Sequence, residues 1–304
     1  MTRKTLITLS GPTASGKTAL AIRLANLFDA EIFSCDSRQF YKEMTIGTAV
    51  PSKEELSQAP HHFVQHISIH EPYSVGKYKQ DMMQTLTVYF SKKNVAILVG
   101  GSGLYMQAIT DGLDVFPQVP ESIRTELGER LNTFGLAHLQ DELQKLDPVY
   151  HQQVDLKNPS RVMRALGVCL SSGQAYSSFL GKPKPKRPFE VMPLTMEIDR
   201  SRLYERINQR VDTMMQAGLL QEAHTLYPHR ALNALQTVGY KELFDFFDQK
   251  IDLDKAVSDI KQHTRNFAKR QLTWVRRKEN LAHGVTQNIS DATLKTIFDK
   301  WHHS

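Results

Sequence analysis

Residues Gly11-Pro12-Thr13-Ala14-Ser15-Gly16-Lys17-Thr18 form a complete phosphate-loop pattern. It lies directly after the apolar run Leu6-Ile7-Thr8-Leu9 and before the helical pattern Ala19-Leu20-Ala21-Ile22-Arg23-Leu24-Ala25. Strand, glycine loop and helix in that order prescribe an α/β fold, because only the end of a strand feeding a helix aims successive backbone N–H groups at one point. The helix N-terminus adds positive potential there and Lys17 adds a full charge, so the loop is expected to hold a di- or triphosphate. Gly11, Pro12, Thr13, Ala14, Ser15, Gly16 and Lys17 line the expected cradle, and Thr18 offers its hydroxyl to Mg²⁺.

Short, largely apolar segments at 4–9, 30–35, about 63–69 and 95–99 read as strands, separated by segments of which several carry helical periodicity. That alternation predicts a P-loop NTPase-like parallel sheet flanked by helices, with ligands at the carboxyl ends of its strands. Ser10-Gly11, Asp36-Ser37 and Gly100-Gly101 all fall there and converge on one crevice. The texture then changes: 121–134, 136–146 and 159–170 read as helices, and Gly181-Lys182-Pro183-Lys184-Pro185-Lys186-Arg187-Pro188 reads as an extended connector. We therefore expect a core domain over 1–116 and 189–304, interrupted by an all-helical insertion over 117–188. The core resumes with a strand at 189–196 and finishes in helices from residue 200 onward.

At 304 residues with 40% hydrophobic and 23% charged side chains, the chain is long enough for those two domains. No segment approaches the ~20 apolar residues that span a bilayer, and no signal h-region is present, so a cytoplasmic protein without membrane association is expected. Cys35 and Cys169 have no metal-ligand spacing. His61 and His62 are adjacent, not at helical metal spacing, and are expected to pack or hydrogen-bond in the core. The net charge of +6 matters less than its placement. Lys261, Arg265, Lys269, Arg270, Arg276, Arg277 and Lys278 crowd 261–278 without an acid, while Phe267, Trp274 and Val275 are spaced for one buried stripe. Such a helix either shows water a charged face or binds a polyanion.

A P-loop that hydrolyses nucleotides usually has a carboxylate at the end of a neighbouring strand. Here 95–99 runs into Gly100-Gly101-Ser102-Gly103, which disfavours an ATPase motor. Asp36 is the well-placed acid: it can act as a base, or merely cap a helix. A small-molecule or nucleotide kinase therefore remains open as an alternative.

The ordered set Gly11 to Thr18, Asp36-Ser37-Arg38-Gln39-Phe40-Tyr41, Ile46-Gly47-Thr48-Ala49, Pro60-His61-His62, Tyr73-Ser74-Val75 and Val99-Gly100-Gly101-Ser102-Gly103-Leu104-Tyr105 resembles the tRNA dimethylallyltransferase family. Arg161, Arg164, Ala165, Val238-Gly239-Tyr240 and Ala268-Lys269-Arg270-Gln271-Leu272-Thr273-Trp274 extend the resemblance from about residue 5 to 278. It implies transfer of a dimethylallyl group from dimethylallyl diphosphate to N6 of the adenosine immediately 3′ of the anticodon in tRNA, releasing diphosphate. The P-loop then grips a leaving group and no water needs activating.

The resemblance assigns Asp36 as the base, with Lys17, Ser102 and Arg124 also catalytic and Mg²⁺ as cofactor. It places Asp36, Ser37, Arg38, Gln39, Ser102, Arg124, Ser160, Arg161, Arg164, Lys241, Lys269 and Arg270 against the tRNA anticodon stem-loop. Two positions depart from the family's pattern: Ser102 stands where Thr is common, and Val50 where Lys often is. Gly101 and Gly103 read either as turn residues or as points of close substrate approach, and Tyr105 as packing. A monomer is expected.

Overall fold

The computed structural model describes residues 3–276 and 282–303. Six strands form one parallel sheet: β1 (Thr5–Ser10), β2 (Ile32–Ser34), β3 (His61–His62), β4 (Val95–Gly100), β5 (Glu190–Met196) and β6 (His283–Val285), in the spatial order β3-β2-β4-β1-β5-β6. Twelve α-helices accompany them among the described residues. Those before β5 are α1 (Lys17–Leu27), α2 (Lys53–Gln58), α3 (Val75–Tyr89), α4 (Gly103–Thr110), α5 (Glu121–Leu146), α6 (Pro148–His151) and α7 (Pro159–Ser172). After it come α8 (Arg200–Gln216), α9 (Leu219–Leu226), α10 (Tyr240–Phe247), α11 (Leu253–Arg276) and α12 (Asp291–His303).

Strand β1 is central, paired with β4 through Leu6–Ala96 and with β5 through Leu6–Val191. All six of its residues are buried, as expected of a strand covered on both faces. Alternation sorts its side chains. Leu6 joins Phe33, Leu98 and residues of α3, α4, α9 and α10 on one face, while Ile7 and Leu9 join Ile32, Ile97 and residues of α1 and α12 on the other. β1 therefore cannot slip register without exchanging its two cores. Its carboxyl end delivers the P-loop.

Two strand expectations are corrected. The third strand is His61–His62 rather than 63–69; the later stretch makes an isolated bridge, Tyr41 to Ile67, and Phe63 and Gln65 adopt positive φ, which breaks extended pairing. The C-terminal part is not purely helical, because β6 adds an edge strand against β5 through Thr195–Gly284. His61 and His62 are half-buried; His62 stacks on Phe33 and pairs with Glu31 at 2.6 Å.

The chain divides into two compact units, 1–110 with 187–304 and 111–186. Residues 111–116, expected with the core, belong to the smaller unit, where Phe116 stacks on Tyr176 at 4.5 Å. Arg187 goes with the larger unit and donates to the carbonyl of Ala108 at 2.7 Å. The smaller unit is helical, and Gly135 (φ 76°, ψ 176°) breaks α5 into two segments between the expected helices 121–134 and 136–146. Leu127, Leu139, Leu143, Val162 and Leu166 form its core. In the connector Lys184 pairs with Asp114 at 3.4 Å.

In the larger unit, the carboxylate of Glu222 accepts the backbone N–H groups of Thr45, Ile46 and Gly47 and the hydroxyl of Tyr240 at 2.7–3.0 Å. This sets the Ile46-Gly47-Thr48-Ala49 turn, and a Cβ on Gly47 would meet the Tyr240 ring at 2.6 Å. Replacing Glu222 by Ala strands those donors and is expected to cost about 2–4 kcal/mol, read as a lowered urea midpoint at unchanged m-value.

Candidate active site

The P-loop leaves β1 at Gly11 (φ 152°), passes through Ala14 in the left-handed region (φ 62°) and enters α1 at Gly16 (φ 93°). A side chain at Gly11 would meet Met196 Cβ at 2.7 Å, and one at Gly16 would meet Gln287 at 2.9 Å, so both glycines are required sterically as well as conformationally. The loop is supported from below: Ala14 packs with Leu203 and Ile207 of α8 and Ala268 of α11. The buried hydroxyl of Ser15 has no hydrogen-bond partner within the protein.

Lys17 donates to the Pro12 carbonyl at 2.6 Å. Burial of its ammonium lowers its pKa from 10.5 to about 8; Asp36 opposes the shift and Arg210 adds to it. Lys17, Asp36 and Arg210 therefore sense one another electrostatically across the strand ends. Arg210 is itself held below its ordinary value by burial, with Asp36 opposing, and its guanidinium donates to the Thr13 hydroxyl at 3.3 Å. Buried Cys35, beside Asp36, has its thiol raised by burial and is unsuited to act as a nucleophile.

A cavity of about 870 Å³ opens beside this loop and is lined by Thr13, Asp36, Ser37, Arg38, Ser102, Lys241 and Arg270 among others. Asp36 lies just past β2, its carboxylate accepting the Arg38 N–H at 3.1 Å. This is the turn that a simple capping role would give it, yet it also lines the cavity. Ser102 accepts the N–H of Ser37 at 3.1 Å, and the two hydroxyls are 3.1 Å apart, so the β2 and β4 loops are tied together next to Asp36. The guanidinium of Arg38 donates to the carbonyls of Asn233 and Ala234 at 2.9 Å, and the Gln39 amide donates to Thr48 and Ala49. Gln39 thus secures the turn that walls the cavity. The Thr13 N–H, expected to face a phosphate, instead donates to Gln271 at 2.8 Å.

The basic run lies on α11 as far as Arg276; Arg277 and Lys278 lie outside the described residues. Lys261 pairs with Asp212 of α8 at 2.6 Å and Arg265 donates to Asn208 at 2.7 Å, so these two hold helices together. Lys269, Arg270 and Lys241 are exposed. The expected buried stripe is corrected in part: Val275 is buried, but Phe267 is 37% exposed and lies under the Arg270 guanidinium at 5.7 Å. Trp274 fills the space a Gly103 side chain would need, at 2.3 Å, and Gly101 likewise abuts Gln271, so both glycines permit helix contact.

The remaining expected residues belong to the smaller unit. Arg124 is exposed on α5 and pairs with Glu121 at 3.2 Å. Ser160 and Arg161 are exposed in the first turn of α7, and Arg164 lies over the Phe116 ring at 5.4 Å. Arg206, Arg210, Gln271 and Gln287 were not among the expected residues. Arg206 and Arg210 share a face of α8 at i,i+4, a spacing the sequence contains, but the contact of Gln287 with Arg206 at 2.7 Å spans 81 positions and carries no local signal.

A family model described as IPP transferase matches residues 39–278. The chain belongs to this family. The match begins beyond the P-loop and Asp36, so membership is decided without them. Within the IPP transferase family the chain is 54% identical over 294 residues to the tRNA dimethylallyltransferase of Christiangramia forsetii, covering 97% of this chain and 96% of the relative. It is 52% identical to that of Flavobacterium johnsoniae, covering 91% and 92%. The crystal structure of the full-length tRNA isopentenylpyrophosphate transferase from Bacillus halodurans superposes with a TM-score of 0.70 at 32% identity, covering 99% of this chain and 95% of that one. A eukaryotic dimethylallyltransferase acting on tRNA shares the fold at a TM-score of 0.80 and 24% identity, covering 97% and 78%.

Unfolded, Lys17 keeps its proton up to pH 10.5, so its buried ammonium costs stability below pH 8, and that cost is relieved between pH 8 and 10.5. An arriving anion favours the charged form. Inorganic diphosphate binding is therefore expected to take up protons through Lys17 above pH 8 and not at pH 7, an uptake that Lys17→Met removes. Calorimetry in buffers of different ionisation enthalpy measures it.

Proposed function

We infer that the chain is a tRNA dimethylallyltransferase that takes its prenyl group from dimethylallyl diphosphate. The observation that carries this reading is the cavity that brings together Thr13 of the P-loop, Asp36 after β2 and Ser102 after β4, with Lys17 of the same loop within electrostatic reach of Asp36. A cation cradle and a carboxylate suit the two charges that change during the reaction. The bond from the prenyl carbon to diphosphate oxygen breaks as the bond to adenine N6 forms, and the N6 proton leaves. Asp36 accepts that proton, because the exocyclic amine is a weak nucleophile whose lone pair is delocalised into the ring. Lys17, Arg210 and the P-loop amides stabilise the charge growing on the departing diphosphate.

The target adenine must leave its stack to reach Asp36, at a cost of a few kcal/mol that contacts around the loop offset. Ser37 and Ser102 supply hydroxyls beside it. Lys241, Lys269 and Arg270 supply charge for the phosphates of tRNA, with Arg161, Arg164 and Arg124 doing so on the smaller unit and Ser160 offering a hydroxyl donor. Among the described residues no three His, Cys, Asp or Glu side chains converge on a metal site. The Thr18 hydroxyl would hold Mg²⁺ together with the diphosphate, in the loop whose buried Ser15 hydroxyl has no partner within the protein. When bound, the ion supplies further neutralisation of the leaving group. The family match favours this reading over a small-molecule or nucleotide kinase. We propose that the protein acts as a monomer.

The direct test is mass spectrometry of tRNA after incubation with the protein, Mg²⁺ and dimethylallyl diphosphate: prenylated adenosine 3′ of the anticodon is expected, and ATP-dependent phosphoryl transfer to small acceptors without prenylation would reject the reading. Asp36→Asn is expected to lower kcat by about 10²–10⁴ while tRNA affinity stays within a few fold. Lys269→Ala combined with Arg270→Ala is expected to weaken tRNA binding and flatten its log–log salt dependence by roughly 0.7–0.9 per lost phosphate contact; an unchanged slope would place the pair away from the RNA.

A further inference from the structure

The side-chain amide of Gln271 is buried on α11, one turn beyond Ala268, which packs against the P-loop. Its Oε1 accepts the N–H of Thr13 at 2.8 Å and its Nε2 donates to the carbonyl of Gly101 at 3.0 Å. The amide orientation follows from the partners, since a backbone N–H only donates and a carbonyl only accepts. These two anchor points belong to the loops that follow the adjacent strands β1 and β4, and both loops line the cavity. Thr13 lies in the loop that faces the leaving group, and its hydroxyl accepts from Arg210. Gly101 precedes Ser102, which binds Ser37 next to Asp36 on the wall that faces the base. Gly101 has no room for a side chain: a Cβ there would lie 2.0 Å from Gln271 Nε2.

We propose that Gln271 is a positioning residue that sets the separation between the diphosphate cradle and the Asp36–Ser102 wall. The proposal rests on the prenyl-transfer reading of the site and deepens it. Only a side chain with one donor and one acceptor at the end of a two-methylene stem spans this gap. Glutamate cannot donate to Gly101 and would put negative charge beside the cradle, methionine keeps the length but neither bond, and asparagine is too short. Because in-line transfer is sensitive to the distance between donor carbon and acceptor nitrogen, loosening the brace slows the chemical step rather than weakening tRNA binding.

Gln271→Met is expected to lower kcat about 10- to 100-fold with tRNA affinity within threefold, and to lower the melting temperature because the Thr13 N–H and the Gly101 carbonyl lose their partner. Gln271→Glu is expected to weaken binding of inorganic diphosphate further, measured by calorimetry in the absence of tRNA. A double-mutant cycle isolates the contact: Gly101→Ala is harmful in the parent and nearly neutral once Gln271 is Ala, because the obstructing amide is gone. Kinetics for Gln271→Met within twofold of the parent, a loss of tRNA affinity as large as the loss of kcat, or an additive cycle in diphosphate affinity would each overturn the proposal. If the parent protein fails to prenylate tRNA, the functional reading falls. The diphosphate titrations and the cycle still decide whether the brace governs the cradle.

Discussion

The carboxyl edge of the sheet is organised around positive charge drawn out of water. The Lys17 ammonium, the Arg210 guanidinium and the first amides of α1 concentrate near Asp36, and burial depresses both basic groups. Such a cluster is tolerable in a folded chain only where the surrounding packing holds it, because charges and unpaired donors taken from solvent each cost several kcal/mol when left uncompensated. The unpartnered Ser15 hydroxyl and the left-handed Ala14 belong to the same locally unfavourable arrangement. The compensation comes from the two apolar cores on either face of β1 and from the packing of Ala14 against α8 and α11.

That dependence explains why the C-terminal third of the chain matters to a loop at its beginning. Helix α8 contributes Arg210 and α11 contributes Gln271, while the segment after β6 places Gln287 against Gly16 and Arg206. Helix α11 has two occupations at once. Ala268 and Gln271 face the P-loop, and Lys269 and Arg270 on its exposed side are free to meet a polyanion. A helix built this way carries two exposed cations within one turn of the residues that support the P-loop.

Much of the site was legible in the residues. The phosphate loop, its flanking strand and helix, Asp36 at the next strand end and the glycine-rich turn after β4 follow from spacing, because each lies within one local stretch whose backbone geometry demands those residue types. The two segments of α5 were legible for the same reason, with glycine at the join. The third strand was not, since a two-residue edge strand has no periodicity to read and the hydrophobic run beside it serves packing in loops. Strand β6 escaped notice because three residues, His283-Gly284-Val285, become a strand only by pairing with β5.

By itself the sequence determined a phosphate-loop pattern at the end of a strand, with a carboxylate at the next strand end, a helical insertion and a basic helix near its end; glycine, lysine, proline and charge periodicity act over a few residues and leave their mark in order. Only the tertiary structure decided which cations share the site and what tethers its walls. Arg210 and Gln271 are separated from Thr13 by 197 and 258 positions and become its neighbours solely through the burial of α8 and α11 against the P-loop, a packing outcome that no local pattern encodes.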